Sequence, residues 1–244
     1  MFEERLSVMI PHRRSVRSYH PEPVGEMPMT GIRAFLAELQ PLIPGAKVEA
    51  RIIPTEHASF LQKWRNPQFF AFYAEESEDA LLNVGFMYQQ LDLYLQSIGL
   101  GTCWVGLGWP DEKLEPAPEG MKLAVMMAFG HPAEVPQRSG ADDFKRRTME
   151  EISDLPDPHL EPVRLAPSAT NSQPWRFVHE GADLHIYREK LGPLKQRTLG
   201  RMNVIDTGIG LAHLYVTHPE SFRFFRAENP PAQDGLLYMG SVAL

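Results

Sequence analysis

Between residues 81 and 98 apolar side chains recur in a strong helical pattern, which predicts a long apolar helix. A second helix is predicted over 201–216, where Ile205, Ile209, Leu211, Ala212 and Leu214 recur with little charge between them. A shorter helix over 31–40 leads into the strand-like 48–53. Further strands are predicted at 69–73, 123–129, 222–225 and 236–242, with a hairpin made by 176–179 and 183–187. Strands interleaved with helices give an α+β class. Trp64, Phe69, Phe70, Phe72, Tyr73 and Tyr88 lie between the first strands and the long helix, where packing into the core is the default.

Proline divides the chain. Pro156 and Pro158 cannot continue a helix, so a turn at 147–152 ends before them and the best boundary between two units lies at 154–158. The Pro- and Glu-rich 111–120 reads as a surface excursion. With 244 residues, 43% of them hydrophobic, the chain can fill one large core or two small ones. No run of 18 apolar residues is present to span a membrane, and the acidic start fits no secretory signal. A single cysteine, Cys103, allows no internal disulfide and suits a cytoplasmic setting. A net charge of −7 argues against nucleic acid as a partner. The histidines show no HExxH spacing, and neither a GxSxG elbow nor a P-loop occurs, so the common zinc, serine-hydrolase and NTPase signatures are missing. The acidic run 75–79 precedes the long helix, where carboxylates complement the helix dipole.

Four segments carry candidate chemistry. Arg13-Arg14-Ser15-Val16-Arg17 offers guanidinium forks suited to phosphate, although a solvated basic turn has the same composition. Gly99-Leu100-Gly101-Thr102-Cys103-Trp104-Val105-Gly106-Leu107-Gly108 ends the long helix. Its glycines let backbone amides approach a ligand, and the plainer alternative is a capped helix entering a buried strand. Lys145-Arg146-Arg147-Thr148 is a second basic run. Pro167-Ser168-Ala169-Thr170-Asn171-Ser172-Gln173-Pro174-Trp175 can meet the polar edge of a planar heterocycle or can be an ordinary Asx-type loop.

Together the four resemble the nitroreductase family of FMN-dependent enzymes, whose members carry RRSxR near the start, APSxxNxQPW soon after, GLGTCWxG after a central helix, and a basic tail. The order departs from the family, because the loop at 167–175 comes about 150 residues after Arg17 and behind the basic tail. The resemblance therefore implies two tandem nitroreductase-like half-repeats, 1–154 with its loop deleted and 155–244 as a shortened copy without clamp or GLGTCW segment. They would form an intramolecular pseudo-dimer of mixed or antiparallel sheets flanked by helices, monomeric and holding one flavin. It assigns Arg13, Arg14, Ser15, Arg17, Lys145 and Arg147 to the phosphate, backbone amides at Gly106 and Leu107 to the ring, and Pro167, Ser168 and Asn171 to the ring from the other half. It implies ping-pong hydride transfer from NAD(P)H through FMN to a small aromatic or quinone-like acceptor, with no catalytic side chain and no metal. The turn Trp64-Arg65-Asn66-Pro67 would line the substrate pocket. Ala169 stands where the family has a second serine, which keeps open the alternative of a flavin-binding or flavin-sensing protein without turnover.

Overall fold

The two long helices form as Glu78–Ser97 and Pro193–Thr217 and pack against each other through the centre of the core. The computed structural model describes residues 2–61, 64 and 67–244. In chain order the elements are α1 (Phe2–Met9), α2 (Glu26–Glu38), β1 (Val48–Ile53), β2 (Ala58–Phe60), β3 (Gln68–Ala74), α3 (Glu78–Ser97), β4 (Gly101–Val105), β5 (Gly108–Pro110) and β6 (Lys122–Gly130). They continue with α4 (Met149–Ile152), α5 (Glu161–Arg164), β7 (Trp175–Glu180), β8 (Asp183–Glu189), α6 (Pro193–Thr217), β9 (Arg223–Phe225) and β10 (Leu236–Ala243). One sheet has the order β1-β3-β6-β4 and the other β7-β8-β10-β9, while β2 and β5 pair as a separate ribbon. All pairings between these strands are antiparallel; parallel contact is confined to isolated bridges at Ser15–Thr102 and Ser153–Phe177. Both four-stranded sheets are thus wound alike: two adjacent strands, a long helix, an edge strand, and a last strand inserted between.

The predicted strands and helices form within a few residues of their expected limits, except that α6 begins eight residues before 201 and α2 five before 31. The plainer reading of 99–108 also holds for its first part. Gly99 sits at φ +84 and ends α3, with the Leu100 N–H donating to the Leu95 carbonyl at 3.0 Å, and β4 follows at once. The acidic run caps α3 as expected, since Ser77 Oγ accepts from the Ala80 N–H at 3.1 Å. Glu78 and Asp79 also pair with Arg188 and Arg226, at 2.7 and 2.6 Å, tying α3 to the second sheet. One core of buried side chains runs through both parts of the chain, and a smaller cluster including Val16, Phe69 and Met126 lies on the far face of the first sheet.

At the helix crossing Gly85 and Gly208 face each other in backbone contact. A Cβ on Gly85 would stand 2.0 Å from the Ile205 carbonyl oxygen and 2.8 Å from the Ile209 nitrogen; one on Gly208 would stand 2.2 Å from the Leu82 oxygen and 3.0 Å from the Phe86 nitrogen. Each glycine therefore meets the carbonyl three residues before, and the amide one residue after, its opposite number. Reciprocity of this kind is what a two-fold axis between two helices produces.

The same relation governs two loops. Asn83, two residues before Gly85, accepts from the Ile43 N–H at 2.9 Å and donates to the carbonyls of Ile43 and Ala46. Asp206, two residues before Gly208, accepts from the Ala169 N–H at 3.0 Å. Ile43 and Ala169 are each two residues after a proline, and the second residue beyond each, Gly45 and Asn171, has positive φ of 90° and 58°. Residues 41–45 thus connect α2 to β1 and are held by Asn83 on α3, while residues 167–171 connect α5 to β7 and are held by Asp206 on α6.

Burial pushes the Asp206 carboxyl up to about 8, against the Ala169 N–H and Ser172 hydroxyl, which favour its charge. An unfolded Asp ionises near 4, so between about pH 4 and 8 the native state holds the extra proton and stability falls as pH rises, by at most about 1.4 kcal/mol per pH unit. Asp206→Asn, which copies Asn83, is expected to be more stable than the parent by a margin that grows from pH 5 to pH 8 in urea unfolding; a margin independent of pH would contradict the assignment. In the same assay Gly85→Ala or Gly208→Ala is expected to cost about 3 kcal/mol or more, because backbone must move aside. Gly106→Ala, whose Cβ meets nothing within 4 Å, is expected to cost under about 0.5 kcal/mol.

Candidate functional site

Arg13 is the buried anchor of the first basic segment, only 1% exposed. A buried guanidinium needs a partner. Its Nε donates to Asp92 Oδ2 at 3.0 Å, and Asp92 sits in a wholly buried network on the inner face of α3. Asp92 also accepts from Thr102 Oγ1 and from the amides of Gln89 at 2.9 Å and Gln96 at 3.3 Å. Gln89 Oε1 accepts from the Trp104 indole at 3.0 Å, while its Nε2 lies 3.1 Å from His213 Nε2 on α6. His213 Nδ1 is 2.8 Å from the Pro162 carbonyl, so it carries the proton and Nε2 accepts. Burial holds the His213 ring down to about 3, opposed by the Pro162 bond and helped by the Arg13 charge, so this imidazole stays neutral. A chain of hydrogen bonds thus runs from α6 through α3 to Arg13.

Around Arg13 the structure gathers further guanidiniums. Arg138 donates through Nη1 to the Arg13 carbonyl at 2.5 Å, in register with the antiparallel bridge between Arg13 and Gln137. Its guanidinium lies 4.1 Å from the centre of the Phe144 ring, and that of Arg146 lies 5.1 Å from the same ring. Arg146 donates to Asn171 Oδ1 at 2.7 Å and to the Leu165 carbonyl at 3.2 Å, and its buried Nε has no partner. Burial and then the positive charge of Arg13 lower the proton affinity of both, Arg138 downward and Arg146 to about 10. Like charges are thus pressed together, with one of them incompletely bonded, where an added anion would be attracted.

The remaining expected residues divide. Ser15 lies beside the clamp, 3.4 Å from Arg13 Nη2, and bridges to Thr102 on β4. Arg14 is part-exposed, donating to the Val135 carbonyl and 3.7 Å from Glu134. Arg17 is exposed: its backbone N–H donates to Glu134 Oε1 at 2.6 Å, and its guanidinium donates to the Ser15 carbonyl at 3.3 Å and lies 5.9 Å from the centre of the Trp64 ring. Lys145 is exposed next to the loop, its carbonyl accepting from Asn171 Nδ2 at 3.0 Å. Arg147 is not part of the cluster: its guanidinium pairs with Glu189. The sequence singled out its neighbours, but Arg146 is the member of that run that reaches Asn171. Arg138 belongs to no motif, and only the strand pairing brings it in. Asp92 had a signal, since a lone carboxylate inside an apolar helix must be paired.

The loop itself is strained and held. Thr170, Asn171 and Gln173 have φ of 54°, 58° and 49°, a conformation that costs non-glycine residues roughly 1–3 kcal/mol each. Ser168 Oγ accepts from the Gln173 N–H at 2.9 Å, and Gln173 Oε1 accepts from the Arg147 N–H at 2.8 Å. Pro167 is buried. Asn171 therefore clasps the basic run, both ends of its amide being used there. Gly106 lies exposed at the end of β4 with no positive φ and no protein atom near a notional Cβ, so nothing within the chain demands a glycine. Leu107 is half exposed, and its carbonyl accepts from the Leu61 N–H at 3.1 Å. No hydrogen bond joins either residue to the loop among the described residues. Of the expected pocket turn, Trp64 packs near Phe60 at 6.2 Å between ring centres, whereas Arg65 and Asn66 lie outside the described residues. Burial pushes the Cys103 thiol up, so it is a packed residue and no nucleophile.

A family model described as "Putative TM nitroreductase" matches residues 6–218. A solved structure described as a "putative nitroreductase" from Thermotoga maritima MSB8 superimposes with a TM-score of 0.64 at 24% identity, covering 99% of this chain and 91% of that one. An FMN-dependent nitroreductase from Clostridium difficile R20291 gives a TM-score of 0.45 at 12% identity over 58% of this chain and 98% of its own. The NADPH:FMN oxidoreductase from Vibrio harveyi, complexed with NAD+, gives 0.45 at 16% over 64% and 77%. No curated protein sequence matches. No described helix is long and apolar enough to cross a membrane. The match over 6–218 takes in all four motif segments and the arginine cluster, and the chain belongs to this nitroreductase family.

Proposed function

We propose that the chain is an FMN-dependent NAD(P)H oxidoreductase acting on a small aromatic or quinone-like acceptor, with one flavin site assembled from its two parts. The observation that carries this reading is the convergence of Arg13, Arg138 and Arg146 on the loop that contains Asn171, sequence-distant segments brought to one place. The donor set fits FMN: the arginine cluster with its unpartnered Nε suits a phosphate dianion, and the open Gly106 backbone suits close approach of a flat ring.

In this reading Arg13, Arg138, Arg146 and Ser15 hold the phosphate, with Arg14, Arg17 and Lys145 at its exposed side. Arg146 takes the place the sequence gave to Arg147. From Thr102, beside Ser15, β4 runs four residues to Gly106, about 13 Å at the rise of an extended strand, so one strand serves both ends of an elongated cofactor. Backbone amides at Gly106 and Leu107 and the loop residues Pro167 and Ser168 then face the ring, while Asn171 positions the basic run. Bound there, FMN would supply the hydride chemistry, and the chain contributes binding, orientation and one open face. Exposed Leu61, Leu107 and Trp109 on the ribbon of β2 and β5 give an apolar wall for NAD(P)H or an acceptor. The matched strand orders, reciprocal glycine contacts and paired loop anchors support two half-repeats in one chain, 1–154 and 155–244, which form a monomeric pseudo-dimer.

The purified chain, mixed with FMN and desalted, is expected to keep a yellow flavin spectrum that bleaches on anaerobic addition of NADH or NADPH. Colour without bleaching by either would leave a binder in place of an enzyme, and no colour would contradict the site. Arg146→Ala is expected to weaken FMN about 10- to 100-fold, as expected for loss of a charge-assisted hydrogen bond, and Arg147→Ala no more than about threefold. The reverse order in a fluorescence titration would contradict the assignment.

A further inference from the structure

We infer that Gln89 on α3 and His213 on α6 are positioning residues for the phosphate site: through Asp92 and Pro162 they hold Arg13 and Arg146 at a fixed separation. Their role rests on the proposed flavin phosphate site, and neither residue touches the ligand itself.

One unbroken chain of contacts joins the two guanidiniums. From Arg13 Nε it passes to Asp92 Oδ2 at 3.0 Å, from there to Gln89 Nε2 at 2.9 Å, on to His213 Nε2 at 3.1 Å, and from His213 Nδ1 to the Pro162 carbonyl at 2.8 Å. Pro162 lies in α5, and Leu165, which ends that turn, accepts through its carbonyl from Arg146 at 3.2 Å. Asp92, Gln89 and His213 are all fully buried. Burial, foremost, keeps the imidazole neutral, and the charges of Arg13 and Arg146 act in the same direction, so the ring lies within the field of both.

The partners allow this chain one arrangement. The Trp104 indole can only donate and the Asp92 carboxylate can only accept, so Gln89 turns its oxygen to Trp104 and its amide nitrogen to Asp92. Its second amide hydrogen meets His213 Nε2, which must accept, and the ring proton stands on Nδ1 against Pro162. Reversing the Gln89 amide would set oxygen against carboxylate and N–H against N–H. A polar chain of this kind is costly to bury unless every member is bonded. The helix crossing alone does not call for one. Ala212, four residues after Gly208 as Gln89 is after Gly85, has no polar side chain. Gln90, five after Gly85 as His213 is after Gly208, donates to the Phe86 carbonyl of its own helix at 3.0 Å. The chain is present where the arginines are. Binding groups work at full strength when held to within about 0.5 Å by neighbours that are themselves locked, and this chain locks two arginines from distant segments.

The test is the ratio of FMN to riboflavin affinity, read by flavin fluorescence on the full chain, because the two ligands differ only in the phosphate. The parent is expected to prefer FMN by about 100-fold or more. His213→Leu removes the acceptor and is expected to weaken FMN at least about tenfold while riboflavin stays within about threefold of the parent. His213→Gln returns an acceptor oxygen near the Nε2 place and is expected to bring FMN back to within about threefold of the parent. Gln89→Met keeps the side-chain length, is expected to behave as His213→Leu, and decides the matter if His213→Leu does not fold. Equal losses of both flavins, or failure of both variants to fold, would make the chain a matter of packing and overturn the positioning role. A parent preference for FMN that the folded variants retain would overturn that role and leave the phosphate site standing. A parent that binds FMN and riboflavin equally would overturn the phosphate site itself.

Discussion

The approach of α3 to α6 at Gly85 and Gly208 is the constraint on which the rest of the molecule depends. With no Cβ between them the two backbones touch, and every residue at a fixed offset from either glycine is placed by that contact. Asn83 and Asp206 each hold a loop, Asp92 on α3 pairs with Arg13, and His213 on α6 meets Gln89 on α3. Helices held apart by even one methyl group would separate these pairs together. Packing density in protein interiors leaves no slack to absorb such a shift.

The symmetry of the backbone carries an asymmetry of charge. On one side a buried carboxylate, Asp92, permits a buried arginine, and around that arginine others collect against their mutual repulsion. Asp92 compensates Arg13, whereas Arg146 keeps a buried Nε without a partner. Elsewhere Leu42, Phe86 and Phe224, among the described residues, line a cavity of about 770 Å³ between α2, α3 and the segment after α6.

How much of this the sequence discloses depends on the range of the interaction. Both central helices, most strands and the α+β class are legible because burial imposes its period locally, residue by residue. The loop containing Asn171 and the Arg13 segment are legible as motifs because their composition is unusual. Arg138 is not, since its place follows from the bridge that its neighbour Gln137 makes to Arg13 across more than 120 residues. Arg146 and Arg147 are chemically the same in sequence, and only the direction of each side chain, toward Asn171 or toward Glu189, separates them. The connection at 41–45 carries no polar signal, because its anchor lies on another element. Its anchor, Asn83, is visible only once the helix crossing is known. Helix α1 and the ribbon of β2 and β5 are too short to impose a readable period.

The central claim, one flavin site shared between two halves of a single chain, is tested most directly by calorimetric titration of FMN into the flavin-free protein, with molar mass measured on the same sample. The account requires one FMN bound per chain and a particle of one chain. Two FMN per chain, or saturation only in a particle of two chains, would contradict it.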